Sequence, residues 1–165
     1  MNFFDSAFQT PISAVEFGIC DNGTGGRAYT DCENKASWIA TVNNPNEDSW
    51  IFTAIDKGVV KDSECFRQTR CDGMLTRNRR WLILVELKDQ SKGWISDAIE
   101  QLEGTIRLFQ NAHASEWAAF IKKRAYACNR RHPVFNRSHK EDALRFFRCY
   151  QVRLHIEASI SLYPF

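Results

Sequence analysis

The chain has 165 residues, 44% of them hydrophobic and 25% charged, with a formal net charge of +2. This is the profile of one domain, 1–165, long enough to bury a proper core. No run reaches the ~18 apolar residues of a membrane span, and Met1-Asn2-Phe3-Phe4-Asp5 lacks the basic start and apolar stretch of a signal peptide, which sets the expectation of a cytoplasmic protein.

Residues 1–17 are mildly apolar and broken by Pro11, room for one short helix or strand. Asn22-Gly23-Thr24-Gly25-Gly26 reads as a surface loop. No strand is expected before it and no Gly-Lys-Ser/Thr follows it, which favours a surface loop over a phosphate-binding loop. Trp38-Ile39-Ala40-Thr41-Val42 is β-branched and aromatic and predicts a strand. Asn43-Asn44-Pro45-Asn46 then turns the chain into a returning strand from Trp50 to Ile55. Gly58 to Glu64 is polar and reads as a hairpin loop. Phe66 to Leu75 resumes strand character and carries Asp72 near its end, and Thr76 to Arg80 closes another hairpin.

Trp81-Leu82-Ile83-Leu84-Val85 comes next, five large apolar residues flanked by Arg79-Arg80 and Asp89-Gln90. Such a run predicts a strand buried on both faces. Ser91 to Asn111 is the clearest helix. Trp94, Ala98, Leu102, Thr105, Ile106 and Phe109 recur at helical spacing, with Gln101 beside the stripe at the sheet margin. Glu116 to Asn129 reads as a further strand, with Ala125 and Ala127 packed under the helix. Ser138-His139-Lys140-Glu141 has the form of a capping box, opening a helix to about Tyr150 with Ala143, Leu144 and Phe147 on its apolar side. Gln151 to Leu162 alternates as one half-buried strand. The fold class that follows is α/β, a central mixed sheet with strands near 50–55, 66–72, 81–87 and 118–127, flanked by two helices.

Charge is unevenly spread. Residues 1–60 carry eight acids against three bases, a net of −5, and residues 104–155 carry eleven bases against three acids, a net of +8. A basic half suits a polyanion, and it equally suits a solvated face. Arg130, Arg131, His132 and Arg137 crowd a loop around Pro133, a plausible grip on phosphates or a solvated turn. Six cysteines occur without Cys-x-x-Cys or finger spacing, and reduced thiols are expected of them. Cys71 lies beside Asp72, which raises a thiol pKa and speaks against a Cys-His hydrolase. The four histidines are scattered.

The strand from Trp81 ends in Glu86-Leu87-Lys88. Alternation puts Glu86 and Lys88 on one side, roughly 6 to 7 Å apart. Burying that carboxylate needs a partner. A divalent cation shared with Asp72 would supply one, and hard oxygen donors of this kind suit Mg²⁺.

Asp72 followed by Glu86-Leu87-Lys88 resembles the signature of the PD-(D/E)XK nuclease superfamily, an acid, a gap, then acid-x-Lys at the end of the next strand. Gln101 in the following helix matches a glutamine many members carry there, and Phe52 to Asp56 resembles the first core strand ending in an acid. The resemblance covers about 50–128, and Cys71 stands where the motif has proline. It implies a restriction-endonuclease-like fold and a metal-dependent nuclease acting on nucleic acid, DNA rather than RNA. Asp72, Glu86, Lys88 and Gln101 would be catalytic. Mg²⁺ or Mn²⁺ would sit on Asp72, Glu86, the Leu87 carbonyl and Asp56, and Lys88 would position the attacking water. Lys122, Arg124, Arg130, Arg131 and Arg137 would receive the backbone. The alternative is a catalytically silent domain of this fold, a subunit or partner in a defence or repair assembly. A homodimer or larger assembly is compatible with either.

Overall fold

In the computed structural model, which describes residues 1–61, 63, 68–134 and 139–165, the elements follow in a fixed order. They are β1 (Gln9–Ile12), β2 (Glu16–Cys20), β3 (Tyr29–Asp31), β4 (Ala40–Asn43), β5 (Trp50–Ala54), β6 (Gly73–Arg77), β7 (Trp81–Lys88), α1 (Trp94–Ala112), α2 (Ala114–Ala119), β8 (Lys122–Asn129), α3 (Lys140–Tyr150), β9 (Arg153–Ile156) and β10 (Ser159–Ser161). The central sheet is mixed, in the order β1-β5-β6-β7-β8-β9. Its first four strands are antiparallel neighbours, whereas β7, β8 and β9 run parallel. Two parallel neighbours need a crossover connection, and α1 with α2, then α3, supply one each. No helix among the described residues is long and apolar enough to cross a membrane.

The apolar run at Trp81 does what its composition demands. Leu82 and Leu84 of β7 point towards α1, where they meet Trp94, Ala98, Leu102, Ile106 and Phe109. Ile83, Val85 and Leu87 point the other way, onto Phe17, Ile19, Val42 and Phe52. Ala125 and Ala127 lie under α1 as their size suggests, with Tyr126 and Cys128 on the opposite face.

That opposite face is covered by a second sheet, β10-β4-β2-β3, which local periodicity does not announce. It corrects the expected hairpin around Asn43–Asn46. β4 pairs with β2 and β10, while β5 pairs with β1 and β6. The turn hands the chain from one layer to the other. The segment 151–162 likewise divides into β9 and β10, which join different sheets. Between them the Ala158 amide bonds the Pro133 carbonyl at 2.9 Å, breaking the ladder.

Three further expectations shift. Residues 114–119 form the helix α2 and not the start of β8. In α3 the buried ring is Phe146, while Leu144 and Phe147 are 52% and 46% exposed. The capping box begins at Ser138, outside the described residues. Finally β6 begins after Asp72, not before it, and Asn78 and Arg79 (φ 53° and 51°) turn it into β7, the double positive φ that a tight hairpin requires.

Candidate active site

Where β6 starts decides whether a site exists. β6 and β7 are antiparallel, with Gly73 opposite Val85, so an acid just ahead of β6 stands beside a residue near the end of β7. Asp72 and Glu86 occupy the next step on the two strands. Met74 and Leu84 share the α1 face, and a period of two puts Asp72 and Glu86 on that face as well. The Leu87 amide donates to Asp72 Oδ2 at 2.7 Å, which holds the carboxylate across the strand boundary.

Glu86 is 1% exposed. Its Oε1 lies 2.9 Å from Lys88 Nζ, and Oε2 has no hydrogen-bond partner among the described residues. Burial raises its pKa well above the ordinary carboxylate range and the Asp72 charge raises it further, with Lys88 acting against both. Burial also lifts Asp72 from 3.8 to about 6. The Leu87 amide and Lys88 pull it down, whereas Asp21 and Asp56 push it up. Two neighbouring carboxyls, Glu86 buried and Asp72 half-buried, are thus held in a place that disfavours their charge.

Lys88 donates to Gln101 Oε1, and the Gln101 amide nitrogen donates to the Arg70 carbonyl at 3.2 Å. One turn on, Thr105 accepts from the Cys71 amide at 2.7 Å and donates to the Gln101 carbonyl at 3.0 Å. Helix α1 therefore grips both the lysine and the segment that leads into Asp72. The approach is close: a Cβ on Gly104 would fall 2.1 Å from the Thr69 carbonyl oxygen.

Asp56 lies just past β5 and is tied to Arg70 at 2.6 Å, close enough for its charge to act on Asp72. Leu87 meets Asp72 through its amide. Arg130 and Arg131 follow β8 at the same end of the sheet. The Arg130 amide bonds the Lys88 carbonyl at 2.9 Å and its guanidinium the Ser37 carbonyl at 2.7 Å. Arg131 pairs with Asp89 at 2.8 Å. Lys122 and Arg124 are at the other end. They stand level with Trp81 and Ile83, whereas Glu86 is level with Ala127. At about 3.3 Å per residue that is roughly 16 and 10 Å along the strand, so these two do not extend the grip of Arg130 and Arg131. Arg137 is outside the described residues.

Two participants escape sequence reasoning. Asp21 follows β2 of the second sheet, and only the stacking of the layers brings its charge to Asp72. Arg70 draws Asp56 into an ion pair. No strand is expected from sequence ahead of the loop at 22–26, whereas β2 ends at Cys20 immediately before Asp21, so no local signal marked that acid. Among the described residues no group of three or more His, Cys, Asp or Glu stands ready as a metal cage; the site offers two carboxylates and main chain. No family model, curated protein or solved structure matches this chain.

Proposed function

We propose that the chain is a metal-dependent nuclease of the PD-(D/E)XK type, hydrolysing phosphodiester bonds of nucleic acid, DNA in the first instance. The observation that carries this reading is Glu86. A carboxyl buried beside Asp72, with Oε2 unpartnered, is costly unless a cation joins it. Two carboxylates with water completing the shell meet the ordinary requirement of Mg²⁺. Asp72 and Glu86 would hold Mg²⁺ or Mn²⁺ with the Leu87 carbonyl as third ligand and Asp56 reaching it through water.

A metal bound there lowers the pKa of water and offsets charge on phosphate. The protein's own part is positioning. The Leu87 amide sets the Asp72 carboxylate, and Gln101 holds the Lys88 amine, which donates to the attacking water or to the charge growing on the phosphate. Arg130 and Arg131 supply the nearby basic edge for the backbone. Unbridged Cys20, Cys32, Cys71, Cys128 and Cys149 fit a reducing cytoplasm.

Incubation with supercoiled plasmid and Mg²⁺ or Mn²⁺ tests the reading. Cleavage should fall about 100-fold or more in Lys88→Met, as for loss of a transition-state donor, and vanish in Glu86→Gln. Gln101→Leu, which acts through Lys88, should cost about 10-fold. Full cleavage by Glu86→Gln, folded with a melting temperature no lower than the parent's, sinks the assignment. A second reading has its own observation: Lys88 already neutralises Glu86 Oε1, so the site stands without metal, as a silent binding domain would. That reading expects no plasmid cleavage by the parent chain with either metal.

A further inference from the structure

The far end of the central sheet carries a second concentration of chemistry. Around the starts of β8 and β9 lies a concavity of about 250 Å³. Lys122, Lys123, Arg124 and Arg153 line it together with Phe147 and Phe165, and no Asp or Glu is among its described lining residues. Arg124 and Arg153 are direct register partners on adjacent parallel strands, and like charges facing across a ladder destabilise it.

No Asp or Glu among the described residues forms an ion pair with either guanidinium, Glu157 pairing with His155 instead. The Arg124 guanidinium donates to the carbonyls of Ser161 and Pro164 at 3.2 and 3.1 Å and lies 4.2 Å over the Phe165 ring. Lys122 donates to the main-chain oxygen of Phe165. Lys123 donates to the carbonyls of Phe120 and Trp117 at 2.7 and 3.4 Å. Arg153 makes no hydrogen bond or ion pair among the described residues. Lys123 and Arg124 are thus oriented by main-chain carbonyls, and none of the four cations forms an ion pair with an Asp or Glu among the described residues. Beside them Phe147, which helical periodicity would have buried, is 46% exposed.

We propose that this concavity is a binding site for one nucleotide unit, its phosphate held by Arg153, Arg124 and Lys122 and its base stacked on Phe147. Convergent cations select a phosphate, and an exposed ring accepts any base by its π-face. The volume is small for a ligand pocket, which suits one nucleotide and not a longer ligand. Because the site lies at the opposite end of the strands from Asp72 and Glu86, it does not depend on the hydrolytic reading. The same chemistry reaches it from two sources, a free nucleotide or one residue of a single strand.

Calorimetric titration of the full chain with AMP, with inorganic phosphate, and anisotropy with labelled oligothymidylate separate the outcomes. AMP should bind, phosphate at least 10-fold more weakly, and rising salt should weaken both. Phe147→Ala and Arg153→Ala should each weaken AMP at least 5-fold without lowering the melting temperature, and Arg153→Gln serves as well where the alanine variant is unstable. Glu86→Gln should bind AMP as the parent does. Oligothymidylate at least 10-fold tighter than AMP identifies a single strand as the source, and equal affinity a free nucleotide. Equal binding of phosphate and AMP, or parental affinity in both variants, overturns the proposal, as does no binding of AMP or oligothymidylate.

Discussion

The backbone amide of Leu87 donates to the carboxylate of Asp72 at 2.7 Å, so the residue between Glu86 and Lys88 aims the acid of the neighbouring strand. A carboxylate placed this way keeps its orientation when its charge changes, because an amide oxygen can accept the same bond. Asp72→Asn should therefore fold normally, melting within a few degrees of the parent, yet lose Mn²⁺ affinity by about 10-fold or more, as for removal of a charged ligand from a two-carboxylate site. Titration calorimetry at pH 7.5 measures it. Parental Mn²⁺ affinity in Asp72→Asn removes Asp72 from the proposed metal site.

Burial makes the site a source of pH dependence with a definite sign. The folded state lifts Asp72 from 3.8 to about 6 and Glu86 higher than its ordinary value. Folding therefore favours their neutral forms. The stability this contributes is fully present below about pH 4, and it is lost as pH rises through 6 for Asp72 and further for Glu86. In metal-free buffer the melting temperature of Glu86→Gln minus that of the parent should grow from pH 4.5 to pH 8. Comparing the two curves cancels the exposed groups whose pKa values are lowered, such as Asp89 with Arg131 and Asp31 with Trp38. A constant difference across that range would show that Glu86 is as comfortable charged as neutral.

Gly104 offers a test in which local and tertiary effects have opposite signs. Within a helix, alanine for glycine stabilises by roughly 0.5–1 kcal/mol. Here the added Cβ meets the Thr69 carbonyl oxygen at 2.1 Å and Thr69 Oγ1 at 2.4 Å. The segment before Asp72 must then lift off α1, an overpacking cost of about 1–3 kcal/mol. Gly104→Ala should lower the melting temperature by roughly 2–10 °C, taking about 2–4 °C per kcal/mol for a chain of this size. It should also weaken Mn²⁺ binding, since the grip of Gln101 and Thr105 on Arg70 and Cys71 is what presents Asp72. A higher melting temperature in Gly104→Ala would mean that this docking is slack.

Much of the candidate site can be read from neighbours in the chain. Glu86 and Lys88 are two apart on a strand, so their shared side needs no tertiary information, and their long side chains close that spacing to a 2.9 Å pairing. Gln101 sits beside an apolar stripe that has to face the sheet, and its contact with Lys88 is a consequence of that stripe. The run from Leu82 to Val85 likewise dictates cover on both faces of β7.

The rest depended on registers between distant segments. Asp72 meets Glu86 only because β6 begins one residue after it and runs antiparallel to β7; an acid at the far end of β6 would face the hairpin. Lys122 and Arg124 are sequence neighbours of a strand that passes the site, yet the parallel register of β8 sets them at its opposite end. Asp21 reaches Asp72 from another sheet. Patterns of period 2 and 3.6 report which face a side chain takes, and they carry no information about which end of a sheet it reaches or which layer covers it. Those are fixed by pairing and packing between residues far apart in the chain.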